Sequence, residues 1–182
     1  MTAFIALLRA VNVGGHNIIP MADLRTLCES LGWRDVKTLV QSGNVVFRCQ
    51  NNDPAVLSKK LSAAVEKKFG FRPEVVVRTG AELRSVIARN PFAKRKDIDP
   101  RKLLVNFLAA QPSAEAQAKV KQIKVGPEEL RIDGRELYIY YPDGFGKSKL
   151  TNTVLERTLG TPGTTRNWNT VTKLLAMAEA LT

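Results

Sequence analysis

The pattern of apolar residues predicts an α+β protein in which one β-α-β-β-α-β unit, trailed by an extra helix, occurs twice. Three observations carry this. Short β-branched runs alternate with apolar stripes at helical spacing, in the same order in residues 1–90 and 103–182. A tight-turn signal falls between two such runs in each half, at Ser42-Gly43-Asn44 and at Asp133-Gly134. Helix punctuation then fits the order: Asp53-Pro54, Thr79 with Glu82 and Asn167 as starts, and Gly32, Gly70 and Gly160 as stops.

In the first half, residues 3–8 form an apolar strand leading through Arg9 into the polar loop Asn12–Asn17. Pro20 opens a helix with Met21, Leu24, Leu27 and Leu31 on one stripe. Residues 36–40 and 45–47 form a hairpin in which Gly43 or Asn44 takes positive φ. Asp53 caps a helix whose inward stripe is Leu57, Leu61, Ala64 and Val65, with Lys59, Lys60 and Lys67 on a solvated face. The strand Glu74–Arg78 and a helix with a capping box, ending near Asn90-Pro91, complete it.

Residues 91–102 read as an exposed connector with prolines at both ends and five basic side chains. The second half then runs through a strand at 103–108, a helix at about 113–122 and alternating runs on either side of Asp133-Gly134. A glycine-bent loop, Tyr141–Leu150, leads to a helix with Leu150, Val154 and Thr158 on one side. A strand at 161–165 precedes a last helix carrying Trp168, Val171, Leu175 and Ala178. The order is that of the ferredoxin-like unit, so the sequence predicts two ferredoxin-like halves, 1–90 and 103–182, from an internal duplication.

Composition narrows the classes of function. Hydrophobic residues make up 44% of the 182, enough for a substantial core. No apolar run approaches the roughly 20 residues that cross a bilayer. The stretch Phe4–Leu8 is too short for a signal-peptide core and follows no basic residue, which suits a buried strand, and Cys28 and Cys49 read as reduced residues in a cytoplasmic protein. Cys28 and Cys49 lack metal-ligand spacing and His16 is the one histidine, so neither metal nor cofactor is expected. Net charge is +11; residues 1–90 contain 13 basic and 7 acidic side chains, 91–102 contain 5 and 2, and 103–182 contain 10 and 8. An excess placed in the first half and the connector favours an acidic partner, either nucleic acid or a phosphorylated small molecule.

Candidate site residues lie in three loops. The segment Gly144-Phe145-Gly146-Lys147-Ser148 resembles a phosphate loop, but that motif needs glycine where Tyr141 stands, so a nucleotide-hydrolase assignment is rejected. The remaining expectation is a bent loop that opens a helix at Lys147 and Ser148, with free backbone N–H groups for an anion. Arg9, Asn12, Gly14 and Gly15 form a second polar loop, with Ser42 and Asn44 in the hairpin. Arg166, Asn167 and Trp168 join a cation, an amide and an indole, the composition of a base-stacking platform or of a capped, packed helix start. Taking strands one and three of each half as parallel, Asn12–Asn17 is expected beside Cys49–Asp53 and away from Ser42. Arg166 is likewise expected at the edge opposite the glycine loop. No paired carboxylates or activated nucleophile emerge, so catalytic residues are not assigned.

Five segments also resemble a known family: Leu7–Gly15, Pro20–Arg25, Gln41–Phe47, Tyr141–Leu150 and Thr165–Val171 are similar to the domain of unknown function 1697 family, nearly end to end and in order. The resemblance implies a bacterial cytosolic protein of two ferredoxin-like halves and brings no activity with it. Two positions depart from the family pattern: Ala10 stands where glycine is usual and Lys147 where arginine is frequent. Three functions compete on these residues: a binding module for RNA or a nucleotide, an enzyme acting on a phosphorylated or carboxylated metabolite, and a protein–protein adaptor.

Overall fold

Two four-stranded antiparallel sheets and six α-helices make up the computed structural model, which describes residues 1–123 and 126–182. They divide into two units, Met1–Ser85 with Thr172–Thr182, and Val86–Val171. No helix among the described residues is long and apolar enough to cross a membrane.

The first unit contains β1 (Thr2–Leu8), α1 (Met21–Ser30), β2 (Arg34–Leu39), β3 (Asn44–Cys49), α2 (Pro54–Phe69) and β4 (Val75–Thr79). The sheet order is β2-β3-β1-β4, and every neighbouring pair is antiparallel. Alternation along the strands sends Phe4, Ala6, Leu8, Val45, Phe47, Val75 and Val77 to the face covered by α1 and α2. There they meet Met21, Leu24 and Leu27 of α1 and Leu57, Leu61 and Val65 of α2. Burying each large side chain of this layer contributes about 1.5–3 kcal/mol. Trp33 stacks flat on Phe47, with ring centroids 3.8 Å apart and planes at 6°. The opposite face is buried as well, through Ile5, Leu7, Val46, Val76 and Arg78.

The caps expected from the sequence are present. The Asp53 carboxylate accepts from Ala55 N, and Gly70 closes α2 at φ 82°. Thr79 and Glu82 make a reciprocal capping box, 2.8 and 3.0 Å, at the start of α3 (Gly80–Ala88).

The second unit contains β5 (Leu103–Leu108), α4 (Ala114–Lys121), β6 (Glu129–Asp133), β7 (Glu136–Tyr140), α5 (Asn152–Leu159) and β8 (Gly163–Asn167). The helix α6 (Trp168–Glu179) follows, and the division between units falls within α3 and within α6. Sheet order is β6-β7-β5-β8, again antiparallel throughout. The helix-side core joins Leu108, Leu137 and Ile139 to Val120 of α4, to Leu155 and Leu159 of α5, and to Tyr141 and Leu150.

Two expectations need correction. The buried stripe of α5 is Leu155 and Leu159, whereas Val154 is exposed, because the helix starts at Asn152 and its phase is set from there. In α6 the buried positions are Val171, Leu174 and Ala178, and Leu175 is only partly buried. The stretch 91–102 is exposed at most positions, as expected, with Phe92 the buried exception. Phe92 is 2% exposed and lies under the guanidinium groups of Arg95 and Arg131, at 5.8 and 5.7 Å. Arg95 bonds to Asp97 and to Glu129, which raises its own pKa and holds the Asp97 carboxyl below the usual carboxylate range.

Gly43 has φ +79°, and a Cβ there would sit 2.9 Å from Leu8 Cβ. Gly43→Ala adds a left-handed strain to an overpacked contact, so a loss of about 2–4 kcal/mol is expected in denaturant melts. Burial pushes the Cys28 thiol up to about 12, whereas Cys49 is only partly buried. In the native protein, thiol-reagent kinetics are expected to resolve one accessible cysteine and one that reacts only on unfolding.

Candidate functional site

Strand direction decides which candidate residues meet. β1 is antiparallel to β3 and to β4, so its C-terminal end lies beside the starts of both, with Leu7 opposite Asn44 and Leu8 opposite Val75. The loop after β1 therefore emerges next to the β2–β3 hairpin and not next to Cys49–Asp53, which corrects the sequence-based placement. Direct bonds confirm it: Leu8 N donates to Gly43 O at 2.9 Å, and Asn12 Nδ2 donates to Gln41 O at 2.7 Å.

Within this edge most polar groups are engaged by the protein itself. Asn12 Nδ2 also donates to Ile19 O at 2.9 Å, while Asn12 Oδ1 accepts from Ile19 N at 2.8 Å. Asn12 thus clasps the loop Val13–Ile18 onto the hairpin, with Gly14 and Gly15 at positive φ in a tight reversal closed by His16 N on Val13 O. Asn44 is fully buried and donates to Leu39 O and to Ser42 Oγ, both at 3.0 Å. Asn12, Ser42 and Asn44 shape the edge, and Arg9, Gly14 and Gly15 lie at it, with both glycines exposed. Ala10 has φ 55°, a left-handed conformation that glycine adopts more readily.

In the second unit β7 and β8 both run antiparallel to β5, so their C-terminal ends flank the start of β5: Tyr140 lies opposite Leu103, and Asn167 opposite Leu104. The glycine loop and Arg166–Trp168 thus share one edge, again contrary to the expectation of opposite edges. Asn167 Nδ2 donates to Arg101 O at 2.9 Å, and Lys102 Nζ to Pro142 O at 2.6 Å. Asn167 Oδ1 caps α6 by accepting from Asn169 N, and Trp168 is the half-buried first residue of that helix.

The glycine loop does not open a helix at Lys147. Gly144, at φ 89°, starts a single 3-10 turn, Phe145–Lys147, and α5 begins only at Asn152. The amides of Gly144, Ser148, Leu150 and Thr151 donate to Tyr141 O, Phe145 O, Ser148 Oγ and Lys149 O. The first turn of α5 is capped by Thr151 Oγ1. The loop instead folds over Tyr141, whose ring meets Phe145 edge-on at 5.2 Å and whose hydroxyl donates to Leu150 O at 3.1 Å. Gly146 needs no positive φ and has open space at its Cβ position. What the loop does present is charge: exposed Lys147 and Lys149 line a cleft of about 490 Å³ with Ile123, Gly126, Pro127, Glu128, Leu150 and Val154.

Arg166 is 8% exposed; Nη1 donates to Thr164 Oγ1 at 2.6 Å and to Thr165 O at 3.0 Å. Burial lowers its pKa to about 10, which leaves it a cation at neutral pH. Sequence reasoning missed its counterpart. Arg78 faces Ile5 across β1 as Arg166 faces Val105 across β5, and Arg78 is 2% exposed. The available signal was position: each arginine directly precedes the capping residue, Thr79 or Asn167, of the next helix. Among the described residues, no group of three or more His, Cys, Asp or Glu side chains is arranged to hold a metal.

The family described as "Protein of unknown function (DUF1697)" matches residues 1–138, and the chain belongs to it. The conserved bacterial protein SP0830 from Streptococcus pneumoniae has a similar structure, with a TM-score of 0.79 at 22% identity over 97% of this chain and 98% of that one. At that identity the likeness speaks for the fold alone. No curated protein matches the chain.

Burial raises the Tyr138 and Tyr141 phenols above their ordinary value of 10.0. A raised folded-state value contributes stability that is complete below pH 10.0 and is lost as the pH climbs toward the folded values. Phenolate absorbance is therefore expected to show Tyr138 and Tyr141 ionising only together with unfolding, and Tyr141→Phe is expected to shed part of that alkaline component.

Proposed function

We propose that this member of the DUF1697 family is a binding module for a phosphate-bearing small molecule, seated in the cleft beside the glycine loop. The observation that supports it is that Lys147 and Lys149 line one cleft together with apolar Leu150, Val154 and Ile123. Ammonium groups on flexible stems suit a phosphate as point charges, and an apolar wall suits a base or the carbon face of a sugar. Glu128 lines the same cleft and repels a second anionic group, so the phosphate belongs at the lysine end. Hydroxyl or amino groups of the ligand then face Glu128.

A nucleotide or sugar phosphate fits this reading better than RNA. Of the connector cations, Arg95 and Arg101 are paired with Asp97 and Asp99, and Lys102 is turned to Pro142 O. A continuous basic track for a nucleic-acid backbone is correspondingly reduced. In this reading each half is ferredoxin-like, on the strength of β-α-β-β-α-β element order with its first and third strands central. The halves are 1–90 and 103–182, duplicated and joined by 91–102, in a cytoplasmic protein.

A thermal-shift and calorimetry panel of nucleoside phosphates, sugar phosphates and short mixed RNAs tests it. The expected result is binding of one phosphorylated small molecule, weakened about tenfold or more by Lys147→Ala or Lys149→Ala. Raised salt should weaken it further. Affinity that survives the double substitution, or RNA bound in preference to every small phosphate, would count against the reading.

A further inference from the structure

We propose that the outer edge of β6 is a self-pairing surface through which two copies of this chain associate by antiparallel strand addition. The inference is independent of the ligand reading above. Among the described residues, β2 and β6 are the edge strands that carry exposed side chains, and they are treated differently. On β2 the register shifts between Arg34 and Lys37, Asp35 takes φ 52°, and Lys37 is exposed, which together spoil the strand as a template. β6 pairs with β7 in unbroken register from Glu129 to Asp133, so its other edge is straight. The β6–β7 turn closes on the pair Asp133–Glu136, with Gly134 at φ 60°. In such a hairpin Asp133, Arg131 and Glu129 direct their backbone groups toward β7, and Leu130 and Ile132 direct theirs outward. Arg131 Nη1 donates to Leu130 O at 2.8 Å, which agrees with that carbonyl facing out.

Charge order then selects the occupant. The outward edge groups allow a second β6 to pair only with even-numbered residues opposite even-numbered ones. When Ile132 lies opposite its own copy, Arg131 falls opposite Asp133 and Glu129 opposite Arg135, twice each by symmetry. The register shifted by one step, with Leu130 opposite Ile132, sets Arg131 against Arg131 and Glu129 against Asp133, and is repelled. The strand is therefore complementary to itself, the property that an isologous contact requires. Leu130 and Ile132 border a cleft of about 510 Å³ that mixes apolar Val120 and Ile123 with charged Lys121 and Glu128, and the apolar pair gives the incoming Ile132 a neighbour. Arg131 blunts the edge in the single chain by covering Leu130 O. Pairing moves it to the partner carboxylate and frees that carbonyl for the new ladder.

Sedimentation analysis of the full chain over a range of concentrations tests this. Reversible dimerisation is expected. Ile132→Lys, which faces two ammonium groups across the axis, should weaken it about tenfold or more. Arg131→Asp should do the same, and the charge-swapped chain Arg131→Asp with Asp133→Arg should regain association. Because Asp133 also bonds to Arg89 at 2.6 Å, circular dichroism and melting of each variant check that the monomer is folded. A monodisperse monomer at every concentration overturns the proposal. So does a dimer indifferent to Ile132→Lys, or a folded charge-swapped chain that stays as weak as Arg131→Asp.

Discussion

The ladder hydrogen bonds on both sides of β1 and of β5 are the constraint from which the placement of every loop follows. A central strand antiparallel to both neighbours brings its own C-terminal end to their starts, and its own start to their ends. That rule sets Asn12 against Gln41 and Asn167 against Arg101. It leaves no freedom for the alternative gatherings that loop sequences alone would permit. Register adds a second restriction, since a slip of one residue would turn Phe4, Ala6 and Leu8 away from α1 and α2.

Element order and most caps were legible in the sequence because they are local. The Thr79–Glu82 box, the Asp53 cap and Gly70 each announce themselves within a few residues, and each is present. The relative direction of strands one and three is non-local, and the parallel assignment there misplaced both loop clusters. The helix start after the glycine loop was misread for a different reason. Thr151 is an N-cap as good as any in the chain, but two nearby glycines and a lysine resemble a phosphate loop more conspicuously. The Tyr141 hydroxyl on Leu150 O and the ring contact with Phe145, together with the loop's own amide bonds, fold the loop back before the helix begins.

Net charge was an incomplete guide for a related reason. A formal +11 counts every arginine alike, yet the arginines here divide by environment. Arg95 and Arg101 are occupied by carboxylates close in sequence, and each pairing appears as a lowered carboxyl pKa on its partner. Arg78 and Arg166 are buried in the sheets. Other cations stay at the surface, among them Lys147 and Lys149. Lysine is suited to that part, because its compact ammonium on a long stem stays hydrated at a surface where a buried arginine contributes nothing.

The two units spend the same strand plan differently, and the difference lies in the connections. Arg78 and Arg166, with Thr79 and Asn167 after them, occupy matching register positions and do matching work: a buried cation, then a helix cap. The connections that follow β3 and β7 also correspond, yet the first is a short link to the Asp53 cap, whereas the second carries the glycine loop and its lysines. The loop between β1 and α1 carries the left-handed Ala10, Asn12 and Asn17, while that between β5 and α4 has no positive-φ residue. Core positions answer to two packed faces and a ladder at once, so they admit few substitutions. Loops answer only to their end points, and it is there, at the C-terminal end of β1 and beside the start of β5, that the two units differ most.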